Sequence, residues 1–335
     1  MHTDLHRVCP SRSARTAGRI AAVVGAGALL ISACGTETAA RPANDWSPSA
    51  TEPPADAPIQ PSLAVGPVAV GHNRLAFGLV DEAGSLVDDA EVTATLWTLS
   101  DAGDGELTGT EISTHQLTRV VLPQDYQHEH ADGSDHLHEA RDATVYAAEV
   151  ELDRPEWWGA ELSITIDGEQ LDPMRVPFWV DADTPEPVVG ERIPASRQLT
   201  TADTELELID SADPPRPELH DLTIADALAQ ERPLMVVFAT AAFCMTQFCG
   251  PVLDGVVIPL SERYGDRMEF IVVEPFDLEM AQQGELVPMP IMNEWGLASE
   301  PWIFVTDAGG VVTHRFQGIT SLDEVGAAVE YVLAG

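Results

Sequence analysis

The hydrophobic period changes once along this chain, and the change divides what its parts can fold into. Between residues 62 and 183 apolar side chains recur at every second position. Leu75, Phe77 and Leu79 alternate in this way, as do Val92, Ala94 and Leu96, and later Tyr146, Ala148, Val150 and Leu152. The clearest run is Trp158, Ala160, Leu162, Ile164 and Ile166, with Gly159, Glu161, Ser163, Thr165 and Asp167 between them. Period two puts alternate side chains on opposite faces of a strand, so each strand is apolar on one side and needs a second sheet to cover it. Antiparallel sheets packed face to face satisfy that need. Asp81-Glu82-Ala83-Gly84, Asp101-Ala102-Gly103-Asp104-Gly105 and Asp167-Gly168 supply the turns.

After residue 218 the pattern becomes strands alternating with helices. Thr223 to Gln230 has helical spacing and ends at Pro233, and Leu234 to Thr240 is a continuous apolar strand. A turn with two cysteines follows, then a helix to about Tyr264 in which Pro259 should produce a kink. Phe270 to Glu274 and Trp302 to Thr306 are further buried strands, and Ile291 to Leu297 is a short helix between them. Asp307-Ala308-Gly309-Gly310 turns the chain into Val311 to Phe316, and Ser321-Leu322-Asp323-Glu324 opens a last helix as a capping box. A parallel βαβ core with an added antiparallel hairpin and a closing helix is an α/β sandwich. The 335 residues exceed what one core usually spans, which agrees with a multidomain chain.

The N-terminus reads as a targeting segment. Arg7, Arg12, Arg15 and Arg19 precede an apolar run from Ile20 to Ala33, too short to cross a bilayer comfortably. The run ends Leu30-Ile31-Ser32-Ala33-Cys34, which resembles the lipobox of bacterial lipoproteins. That resemblance implies a signal peptide over residues 1–33, lipidation of Cys34, and a protein held to the extracytoplasmic face of the cell membrane by acyl chains in the bilayer. Residues 34–61, rich in Thr, Ala, Pro and Ser, are expected to be a disordered tether. Residues 184–218 carry six prolines and read as a linker lying across the next domain. The net charge is −38, with 17 arginines and no lysine against 55 acidic residues. Phosphate contacts need a basic face, so nucleic acid is excluded as a partner. Such a surface repels itself and suits a medium whose counterions screen it.

Of four cysteines only Cys244 and Cys249 remain in the folded part, and an exported chain permits them to bridge. A thiol close to a helix N-terminus has its anion stabilised by unpaired N–H groups, which makes it nucleophilic. Leaving the strand first, Cys244 is the candidate nucleophile and Cys249 the candidate resolving thiol. Pro251 fits the first turn of the helix that follows. Thiol exchange, a static disulfide and metal binding are all chemistries open to such a pair.

The segment from His220 to Gly335 resembles the thioredoxin fold. The resemblance rests on Val236-Val237-Phe238-Ala239-Thr240 entering the cysteine turn, on Cys249-Gly250-Pro251, and on Glu300-Pro301 before a strand and hairpin. It implies a cysteine turn at a helix N-terminus faced by a cis-proline at Pro301, thiol-disulfide chemistry at Cys244, Cys249 and Pro301, and exported thiol or disulfide proteins as partners. The chain departs from the family in three places. The thiols are separated as Cys-Met-Thr-Gln-Phe-Cys, Val252 follows Gly-Pro where the family has its second cysteine, and Glu300 precedes Pro301 where an uncharged residue is usual. The Gly-Pro after Cys249 also favours Cys249 as the family's first cysteine. About seven strands in roughly 120 residues fit an immunoglobulin-like domain. The expected fold is therefore an N-terminal all-β immunoglobulin-like sandwich over residues 62–183, followed by an α/β thioredoxin-like domain over residues 219–335.

Gln127-His128-Glu129-His130-Ala131-Asp132-Gly133-Ser134-Asp135-His136-Leu137-His138 gathers four of the ten histidines. If Asp-Gly-Ser closes a hairpin, His130 pairs opposite His136 and His128 opposite His138, and all four share one face. That arrangement suits Cu or Zn, although thiol exchange itself requires no cofactor. A metal-binding or copper-delivery protein using the thiols and the histidines is the competing function, and an interaction module with a structural disulfide is a third. The chain contains no Gly-rich phosphate loop, Ser-His-Asp order or His-Glu-x-x-His motif, so nucleotide use and hydrolysis have no support.

Overall fold

The computed structural model describes residues 44–47, 51, 57–101, 107–124, 126–129, 135–138 and 142–335, with backbone alone for 126–129 and 135–138. Its first part is built from β1 (Ile59–Leu63), β2 (Gly71–Asp81), β3 (Ala90–Asp101), β4 (Leu107–Gln116), β5 (Thr118–Leu122), β6 (Tyr126–Glu129), β7 (Asp135–His138), β8 (Ala143–Leu152), β9 (Trp157–Ile166), β10 (Glu169–Gln170) and β11 (Met174–Trp179). One antiparallel sheet has the order β1-β2-β8-β5, the other β10-β9-β3-β4 with β11 on β9. The alternating residues meet between them: Leu75, Phe77, Leu79, Tyr146 and Val150 of the first sheet pack against Val92, Leu96, Trp158, Leu162 and Ile164 of the second.

The expected one-sided strands are corrected in β2, which is buried on both faces from Asn73 to Leu79. Ala76 on its outer face joins Val120, Leu122, Val145 and Ala147 in a second apolar cluster, completed by Val325, Ala328 and Val329 from the C-terminal part of the chain. A sheet that must cover two cores cannot keep one face polar.

The segment expected as a tether is also corrected where it is described. Trp46 is fully buried, against Trp97 and Leu99, and its backbone N–H donates to the Leu107 carbonyl at 2.8 Å. Its indole lies over Gly109 and Gly159, and a Cβ on either glycine would run into the ring. The signal peptide and Cys34 lie outside the described residues.

The second part holds a four-stranded sheet, order β13-β12-β14-β15, from β12 (Leu234–Phe238), β13 (Glu269–Val273), β14 (Trp302–Thr306) and β15 (Val312–Gln317). β12 runs parallel to β13 and antiparallel to β14, and β14 and β15 form the hairpin. All five residues of β12 are buried because helices cover both faces. Leu234, Val236 and Phe238 face α1 (Ile224–Leu228) and α5 (Pro290–Glu294), while Met235 and Val237 face the helical stretch after the cysteine turn and α6 (Leu322–Ala334). That stretch is α2 (Cys249–Val252), a wide π turn (Leu253–Val257) and α3 (Ile258–Tyr264). Where a kink was expected, a wide π turn precedes Pro259, which falls in the first turn of α3. α4 (Leu278–Ala281) closes the set.

Ser321 caps α6 by accepting the Glu324 N–H, but the other half of the capping box is not made. The Glu324 carboxylate instead receives Arg74 and the Thr320 hydroxyl. Within the proline-rich stretch Ile193 and Ile209 are buried, Ile193 donates its N–H to the Gly310 carbonyl at 2.9 Å, and Ser196 accepts the Trp295 indole N–H at 2.9 Å. All described residues fall within one compact unit. None of the helices among them is long and apolar enough to cross a membrane.

Candidate functional site

β12 ends at Phe238, and the next two residues, Ala239 and Thr240, are completely buried. The chain then loops outward through Ala241 to Phe248 before α2 begins at Cys249. Three groups fix the base of this loop. Ser211, from the proline-rich stretch, accepts the N–H groups of Ala241 at 2.9 Å and Ala242 at 3.2 Å, and its hydroxyl lies 3.0 Å from that of Thr240. Thr240 Oγ1 accepts the Phe243 N–H. Glu274, one residue beyond β13, takes the Ser211 N–H on Oε1 at 2.8 Å, while its buried Oε2 has no hydrogen-bond partner. Burial pushes the Glu274 carboxyl up to about 7.

At the top of the loop the two sulfurs lie 2.6 Å apart and are not joined as a disulfide. Cys249 is fully buried and Cys244 partly exposed, beside an exposed Met245. Two donors from Cys249, its thiol and its N–H at 3.2 Å, are directed at Cys244 Sγ, and the Thr246 hydroxyl, which donates to the Glu300 carbonyl, lies 3.3 Å from the same sulfur. Shared with Cys249 in this way, Cys244 is held well below the ordinary thiol range, at about 5. Burial, reinforced by the adjacent Cys244, pushes Cys249 strongly upward. The two thiols are therefore unequal: hydrogen bonding shifts the accessible one toward its thiolate and burial holds the other toward its protonated form.

Glu300 closes the third side. It is 4% exposed, and its Oε1 accepts the Met245 N–H at 2.8 Å while its carbonyl lies 3.3 Å from the Thr246 hydroxyl. Burial raises its carboxyl above the usual range. The Glu300–Pro301 peptide is cis. One ligand atom from each of Cys244, Cys249 and Glu300 lies within 4.8 Å of the other two, so the group could hold a metal ion.

Cys244 and Cys249 thus come together, and the residue before Pro301 meets them. The histidine hairpin forms with a register different from the expected one. His128 lies opposite His136, but His138 lies opposite Tyr126, and the last pair is Glu129 with Asp135. Relative to the expected pairing the two strands are offset by two residues, and the described pairs run from Tyr126–His138 to Glu129–Asp135. His130 lies outside the described residues, as does the lipidation candidate Cys34. Sequence reasoning missed Ser211, Thr240 and Glu274. The one visible signal was a polar residue closing each of two apolar runs, Thr240 two residues beyond β12 and Glu274 one beyond β13, and Ser211 had none. The chain matches no family model, no curated protein and no solved structure.

Proposed function

We propose that this chain is a membrane-anchored, extracytoplasmic thiol-disulfide oxidoreductase of thioredoxin-like fold, carrying an immunoglobulin-like sandwich and acting on exported proteins. The observation that carries the reading is the asymmetric thiol pair, with the Cys249 thiol and N–H both directed at Cys244 Sγ. An exposed thiolate beside a buried thiol is what two-step exchange requires. Cys244 thiolate attacks one sulfur of a substrate disulfide, the S–S bond breaks, and the first substrate thiolate leaves. Cys249 then gives its proton to the departed substrate thiolate and attacks Cys244 Sγ, which expels the second substrate thiolate and leaves a Cys244–Cys249 disulfide. Run backwards, the same steps oxidise a substrate dithiol. The strand order β13-β12-β14-β15, with its one parallel pair, supports the thioredoxin-like reading, and the two facing antiparallel sheets support the immunoglobulin-like one.

Trapping tests this on the mature chain. Cys249→Ser should accumulate a mixed disulfide through Cys244 with a disulfide-bonded protein substrate, and Cys244→Ser should accumulate none. A Cys244–Cys249 couple with a potential well below about −300 mV would mark a static bridge and overturn the proposal.

A further inference from the structure

The thiol pair and Glu300 have a second use that exchange chemistry does not require. We infer that the reduced site binds one Zn(II) ion through Cys244 Sγ, Cys249 Sγ and a Glu300 carboxylate oxygen, with the fourth coordination position open to solvent.

The geometry carries this. The three donor atoms already lie within 4.8 Å of one another, and two of the three residues are buried. A tetrahedral zinc ion with Zn–S of about 2.3 Å and Zn–O of about 2.1 Å needs its donors somewhat under 4 Å apart. The sulfurs, at 2.6 Å, would have to part by about 1 Å, a side-chain movement that the partly exposed Cys244 can make. Glu300 gives the electrostatic reason. A carboxylate buried against a thiolate places two negative groups in a poorly solvated site, and a divalent cation between them relieves the repulsion. The donor set also selects the ion. Two thiolates alone satisfy Cu(I), whereas two thiolates, a carboxylate oxygen and a water suit Zn(II). The open side is the loop face bearing the exposed Met245 and Gln247. A bound ion would occupy the lone pairs of Cys244, so zinc and disulfide substrates would compete for the reduced protein.

The experiment titrates the reduced, metal-free mature chain with Zn(II) by calorimetry, and with Co(II) while near-ultraviolet absorption is followed. Thiolate-to-cobalt charge transfer reports only sulfur-bound metal, so ions held by the histidine hairpin or the acidic surface do not contribute. One equivalent should bind with that absorption. Cys244→Ser and Cys249→Ser should each lose it, and Glu300→Gln should weaken binding by at least about tenfold. Glu300→Asp, which keeps the carboxylate, should retain part of the affinity and serves if the Gln variant does not fold by circular dichroism. Absence of the charge-transfer band, or affinity unchanged within twofold in both Glu300 variants, overturns the inference. Thiol exchange is assayed separately in chelator, so failure of the zinc site and failure of the exchange function are read independently.

Discussion

Arg74 of β2 meets Glu324 in the first turn of α6 through two hydrogen bonds, Nε to Oε1 at 2.5 Å and Nη2 to Oε2 at 3.0 Å. Arg74 is almost wholly buried and also donates to the Ile319 carbonyl. The β-sandwich and the α/β layer are therefore joined by a charged pair as well as by a shared apolar cluster. Removing one partner strands the other charge in a poorly solvated site. Arg74→Met should cost roughly 3 kcal/mol in urea unfolding, and Arg74→Met with Glu324→Leu should recover part of that loss. If the single variant is neutral, the pair contributes nothing to holding the layers together.

Alkylation of the dithiol should report the unequal thiols. Because the Cys244 pKa is lowered to about 5, its thiolate dominates above that pH. The iodoacetamide rate should be flat from pH 6.5 to 8 and fall about tenfold per unit below pH 5. Cys249→Ser removes the first cause of the shift and should move the inflection upward. Cys249, pushed upward by burial, should remain unmodified over the same range.

Ser211 holds the root of the cysteine loop from outside the sheet. Ser211→Ala removes the acceptor for the Ala241 and Ala242 N–H groups and should destabilise the fold by about 1–3 kcal/mol. It should also slow mixed-disulfide formation by Cys244. A rate equal to wild type would mean the loop keeps its shape without this clamp.

Glu274 makes stability depend on pH in a defined direction. Its carboxyl is raised to about 7 in the folded state, so the folded chain binds more protons than the unfolded one between its ordinary carboxylate pKa and 7. Its contribution to stability is complete at low pH and is lost as pH rises through that window. The full loss is on the order of 3 kcal/mol. Glu274→Gln should flatten this part of the profile in denaturation curves at pH 4.5 and 8. An identical slope in the variant would assign the dependence to other groups.

Local pattern made the elements legible. Period-two alternation marked β9 and β3, a continuous apolar run marked β12, and Ser321 marked the start of α6, because each is decided by side chains a few positions apart. The cysteine pair was also visible, since its two members share one loop. What the pattern could not reveal depends on contacts across the chain. Trp46 lay in a stretch without any hydrophobic period, yet it fills a space left by Gly109 and Gly159, which are distant from it in sequence. Ser211 lay among prolines, and only the path of that stretch over the sheet brings it under residues 240–242.

The sequence by itself determined the two kinds of sheet, the cysteine loop after β12 and the acidic character of the surface, because these follow from composition and short-range periodicity. Only the tertiary structure decided that β2 is buried on both faces, that Cys244 rather than Cys249 is the accessible thiol, and that Glu300 turns toward both. Burial and close approach of groups separated by fifty or more residues set those outcomes. Desolvation and the directions of hydrogen bonds depend on where the folded chain brings such groups together, which no local window of residues contains.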